Sequence, residues 1–218
     1  MALYKKNSSG SLLAWKWTGT ETLDFVHALN DRCLQVLGHR VSAESCSVLR
    51  CEAFEIVRTR PELWLQLDEA ARGRAAKCPV LLLDVRFDNL AWWRDCLGRA
   101  SNGEESDRPP SAFPAELARD LTAETLTLAW HATRSDARAA SMTLGLSPGV
   151  AATIAALTPR EVQHMAVRHA HQLHPRWESD LQFWGQLLRT AIDGDEEALS
   201  EFRLHSLQLL GNDLLRAE

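Results

Sequence analysis

Between Pro159 and His174 the sequence sets Arg160, His164, Arg168 and His171 at successive steps of four, four and three residues. On a helix turning about 100° per residue these side chains share one sector, opposite Val162, Met165, Ala170 and Leu173. A face of this kind can contact phosphates or the acidic surface of a partner, and Arg176 just beyond it completes the DNA- or partner-contacting set. The plainer reading is a solvated helix surface, because neutral histidines add little charge at pH 7. The same stretch invites a zinc site through His164, His169, His171 and His174. No two of these have the His-x-x-x-His spacing that stacks imidazoles on successive turns, so no metal is assigned.

Other chemistry is thinly represented. Cys33, Cys46, Cys51, Cys78 and Cys96 are odd in number, all lie in the first half and form no Cys-x-x-Cys pair, which argues for inert buried thiols over a disulfide scaffold or zinc ribbon. No Walker loop, Gly-x-Gly-x-x-Gly or nucleophile elbow occurs, so the expectation is a protein that is not an enzyme and needs no cofactor. Eight tryptophans against one tyrosine supply bulky rings; Trp92-Trp93 or Trp177 and Trp184 could anchor a partner, and core packing explains them equally.

Charge is unevenly spread. The chain has 24 Lys+Arg against 29 Asp+Glu, a formal charge of −5, so no global basic field advertises nucleic acid. Residues 130–177 hold five arginines and five histidines against two acids, whereas residues 178–218 hold nine acids against three arginines. Any nucleic-acid contact must therefore come from a local patch or through a partner.

The elements that would position these residues are mostly helices. Ser147-Pro148 and Thr158-Pro159 each place a capping hydroxyl before a proline at the first helical position, and Glu161 completes a capping box with Thr158. A long helix is expected over Phe113 to about Met142. Another follows, capped by Ser179 with Gln182 and closed by Asp193-Gly194, and a last one opens with Asp195, Glu196 and Glu197, where the helix dipole favours carboxylates. In the first half Leu23, Val26, Asn30, Cys33 and Leu37 form one helical stripe, and Pro61 to Leu65 opens a second helix. Pro79-Val80-Leu81-Leu82-Leu83 suits a buried strand or a short buried helix; helix is the expectation here.

With 218 residues and 45% apolar side chains, the chain can bury a sizeable core. Gly, Ser, Asp and two prolines over 101–111 mark a linker, dividing the chain into a flexible segment 1–19, a unit over 20–100 and a unit over 112–218. No run approaches the roughly 20 apolar residues of a membrane helix, and no signal-peptide pattern follows Lys5-Lys6, so a cytoplasmic location is expected.

From Leu144-Gly145-Leu146 through Ala156-Leu157-Thr158, Ala166, Gln172-Leu173 and Arg176 to the helix over 204–215, the second unit resembles the flagellar transcriptional activator FlhD family. The first unit echoes it with Leu37-Gly38, Thr59-Arg60-Pro61-Glu62 and Arg86-Phe87-Asp88-Asn89 in the same order. The resemblance implies an all-α protein of two small FlhD-like units packed as a pseudo-dimer, one chain reproducing what such proteins build from two. It also implies a transcriptional regulator that acts on promoter DNA with a zinc-bearing FlhC-like partner. Leu173 and Leu83 stand where the family has a cysteine, so its intermolecular disulfide has no counterpart. A protein-binding adaptor or secretion-system accessory factor without DNA binding is the alternative, and a homo-oligomer of the chain is among the partners left open.

Overall fold

The structure is a computed structural model in which residues 19–42, 55–98 and 113–216 are described. The expected N-terminal segment up to residue 18, the 101–111 linker, Cys46 and Cys51 lie outside them. The fold is all-α. In the first half α1 (Gly19–Ser42), α2 (Glu55–Thr59), α3 (Pro61–Gln66) and α4 (Glu69–Ala76) lead to a two-residue strand β1 (Leu83–Asp84) and α5 (Leu90–Gly98). In the second half α6 (Ala115–Ser135), α7 (Ala137–Leu144), α8 (Pro148–Ala156) and α9 (Pro159–His169) lead through a 3-10 turn to β2 (His174–Pro175), α10 (Leu181–Asp193) and α11 (Glu196–Arg216). No single helix among the described residues is long and apolar enough to cross a membrane.

Buried side chains from Val26 to Leu210 form one connected core to which both halves contribute. In α1, Val26, Asn30, Cys33 and Leu37 are buried as the stripe requires, while Leu23 is partly exposed. The helix α10 of the second half packs on α3 and α4 of the first, with Trp64 and Trp184 rings 6.2 Å apart, and α5 reaches across to α8. Each half thus completes its core with a helix of the other, α10 on the first half and α5 on the second, which compensates for the small apolar area either could bury alone.

Three expectations need correction. The run from Phe113 to Met142 is two helices, because Asp136 ends α6 and its carboxylate accepts the N–H groups of Arg138 and Ala139 at the start of α7. The segment Val80 to Leu83 is not helical: it is irregular with bends until it enters β1 at Leu83, and it is fully buried. Its backbone groups find partners far away in sequence: Leu81 N–H donates to Thr143, Leu82 N–H to Asn30 Oδ1, and Leu82 O accepts from Arg176 N–H. Those tertiary partners outweigh the local preference of an apolar run for helix. The cap of α10 is Asp180, one residue beyond Ser179.

A local motif recurs. The strands pair antiparallel, Leu83 with Pro175 and Asp84 with His174, so a shift of 91 residues carries each strand onto the other and exchanges the two pairs. The same shift relates Arg86 to Trp177, the only non-glycine residues with positive φ among the described ones, at 53° and 52°. It relates Asn89 to Asp180, whose side chains accept from Trp92 N–H and Phe183 N–H. It also relates Trp93 to Trp184, whose indole N–H groups donate to the carbonyls of Arg86 and Trp177. Upstream, Asp68 and Thr158 cap α4 and α9. Leu37-Gly38 is not part of this correspondence: Gly38 lies inside α1, whereas Gly145 closes α7 at φ 69°.

Candidate functional site

The α9 helix is set by its first turn. Thr158 Oγ1 accepts from Glu161 N–H, and Glu161 in turn accepts from Thr158 N–H at 2.7 Å, the reciprocal capping box expected from the sequence. Val162, Met165 and Ala166 are buried against α6. That fixes the rotation of the helix and turns the opposite side outward, with Arg160 and His164 exposed and Arg168 and His171 half-buried. Four of the five expected contact residues therefore lie along one accessible strip.

Arg176 is set apart from them. It is 8% exposed. Its Nε donates to Leu81 O at 2.9 Å, and its Nη2 donates to Leu144 O at 2.7 Å and to Asp84 Oδ1 at 3.0 Å. Through Nε and Nη2 the guanidinium joins the end of α7 to Leu81 and to Asp84 of β1, so its place is structural and it does not extend the α9 strip. His174 Nε2 lies 3.5 Å from the other Asp84 oxygen. A cleft of about 390 Å³ opens beside this cluster, lined by Asp84, His174, Arg176, Trp177 and Asp213 among others. Its polar groups largely satisfy one another: Trp177 Nε1 donates to Asp213 at 2.6 Å, and Arg86 N–H donates to Asp84. No group of three His, Cys, Asp or Glu among the described residues could hold a metal ion.

Sequence reasoning passed over Asn30 and Asp84. Asn30 is completely buried; its amide nitrogen lies 3.3, 3.2 and 3.0 Å from the carbonyl oxygens of Ala76, Cys78 and Val80. An asparagine inside an otherwise apolar stripe, and an aspartate ending an apolar run, were the available signals. The thiol of Cys33 is enclosed, and burial pushes its pKa well above the ordinary value. This suits a packing role.

The hydrogen bonds from Thr158 backbone and side chain hold the Glu161 carboxyl below its ordinary range. Because the folded-state value is depressed, the contribution is complete above the unfolded-state pKa and is lost as pH falls through the folded one. Thr158→Ala should cost about 1 kcal/mol at neutral pH. It should also flatten the acid-side fall in stability, read from urea midpoints across a pH series. An unchanged midpoint would mean that packing on α6 alone orders the first turn of α9.

Comparison of the chain with protein-family models, curated proteins and solved structures finds no match.

Proposed function

We propose that the chain is an FlhD-like, cytoplasmic transcriptional regulator that acts on promoter DNA of the flagellar type together with an FlhC-like partner subunit. In this reading residues 20–100 and 112–218 are two related units packed as a pseudo-dimer. The observation that carries the proposal is the repeated unit of strand, left-handed residue and side-chain-capped helix at Leu83–Trp93 and His174–Trp184. A chain that holds two such units about one ribbon suits the paired subunits implied by the resemblance. Arg160, His164, Arg168 and His171 form the contacting strip, while the net charge of −5 assigns most of the DNA affinity to the complex instead of to this chain alone.

A second reading, an adaptor that binds only proteins, draws on Val167, which is 65% exposed beside the basic residues. An aliphatic side chain adds nothing to phosphate contact and favours a protein surface.

A salt-series titration of promoter and random duplex, by this protein alone and with an FlhC-like partner, separates the two. Weak binding alone and tight binding in the complex are expected, with Arg160→Ala and Arg168→Ala each lowering the salt slope by about one. A complex whose slope ignores both substitutions removes these arginines from the DNA interface. Stable capture of a protein partner without DNA binding at any salt supports the adaptor.

A further inference from the structure

Two solvent-facing helix stripes in this molecule are complementary residue for residue. On α9 the stripe runs Arg160, His164, Val167; on α11 it runs Glu197, Glu201, Leu204. Both advance by four and then three residues, the spacing that keeps side chains on the seam between two helices packed side by side. Laid parallel, Arg160 meets Glu197, His164 meets Glu201 and Val167 meets Leu204. The aliphatic members are conspicuously uncovered, at 65% and 60% exposure. Glu196, one position away, is already paired with Arg203 at 2.7 Å. No side-chain ion pair engages Arg160, Glu197 or Glu201 among the described residues. The two stripes cannot meet within one molecule while both face solvent.

The corresponding helices in the two halves are also covered differently. α4 is sandwiched between α1 and α10, and Arg74 on its outer side donates from Nε to the Ala191 carbonyl near the end of α10. α9 packs on α6 in the way that α4 packs on α1, and its other side bears the stripe. Over α9 that position is approached only at one end, where the Trp92 ring of α5 lies 5.1 Å from that of His169, and Arg160, His164 and Val167 remain exposed.

We infer that the α9 stripe is the docking seat for α11 of a second copy of this chain. Parallel seating puts the opposite charges of Arg160 and Glu197 at one end of the seam, the His164 ring beside the Glu201 carboxylate as a hydrogen-bonding position, and the Val167–Leu204 contact at the other end, where the aliphatic pair leaves water. The inference takes up the partner-contacting side of the proposed function and gives that strip a specific occupant. Because its assay contains no DNA and no other protein, its failure and the failure of the regulator reading are separable.

Sedimentation equilibrium of the full chain over a wide concentration range tests it. The weight-average mass should climb from 24.4 kDa toward twice that value or beyond. Arg160→Glu, Glu197→Arg and Val167→Glu should each weaken association about tenfold or more, since each replaces attraction or apolar contact by repulsion or a buried charge. All three positions are exposed, so circular dichroism should be unchanged. The decisive arms are the double variant R160E/E197R and an equimolar mixture of R160E with E197R, both of which should recover association. A wild-type chain that stays at 24.4 kDa throughout, or association untouched by the single reversals, or no recovery in either arm, overturns the inference.

Discussion

Asn30→Leu should lower the melting temperature by about 10 °C or more, the largest effect expected of any uncharged substitution here. The reason is the number of backbone groups that one side chain satisfies. Asn30 Oδ1 accepts from Leu82 N–H at 2.8 Å, while the amide nitrogen serves the carbonyls of Ala76, Cys78 and Val80. All of this happens at a site with no solvent access to the side chain. Leucine would fill the volume and leave those groups without a partner, each at about 1–3 kcal/mol when buried. The irregular segment leading into β1 would be the first structure to loosen, because it has no ladder of its own before Leu83. Amide exchange of Leu82, compared between variant and wild type, reports this directly. A variant that melts within about 2 °C of wild type with Leu82 still protected would show that another donor and acceptor replace the asparagine.

Arg176→Met should be comparably severe, at about 3–5 kcal/mol, because removing one partner of a buried ion pair leaves the other charge uncompensated. Here Asp84 and the carbonyls of Leu81 and Leu144 would all lose their donor. Asp84→Leu combined with Arg176→Met should recover part of the loss, since the orphaned carboxylate is gone, and urea midpoints of the four proteins in the cycle measure that coupling. Gly145→Ala gives an independent view of the same cluster. The residue has φ 69°, and a Cβ there would overlap the guanidinium and Leu210. A cycle with no coupling between positions 84 and 176 would reduce the pair to two unrelated packing residues.

Much of the helical framework was legible because its signals are local. The Ser147 and Thr158 caps, the box with Glu161, the Gly194 stop and the inward face of α9 depend on residues within a turn or two of one another. What eluded sequence reasoning depends on contacts across the chain. Val80 to Leu83 is kept out of a helix because Asn30, Thr143 and Arg176 take its backbone groups, partners 50 residues removed in the case of Asn30 and Val80. The expected helix from Phe113 to Met142 is divided at Asp136, which caps α7 as α6 ends. Arg176 was grouped with the α9 strip by proximity in sequence and charge; its buried position follows from its pairing with Asp84, 92 residues away, which no local pattern around Arg176 announces. Arg160, His164 and Arg168 stayed together because helical periodicity determines their common side, whereas α9 ends at His169 instead of running to His174, and His171 follows in the 3-10 turn.

The Asp84–Arg176 pair is asymmetric with respect to the repeated motif. The shift that superposes the strands takes Asp84 to Pro175 and Arg176 back to Val85, so the carboxylate and the guanidinium each occur once where the two strands meet. Two identical chains meeting about the same ribbon would bring every such side chain twice, setting carboxylate near carboxylate and guanidinium near guanidinium in a space that holds one of each. A single covalent chain is free of that constraint. Here one half carries the anion and the other the cation at the positions closest to their junction, a lock that fits only one half against the other. Exchange of a half with that of a neighbouring molecule then gains nothing over the contact already made within the chain.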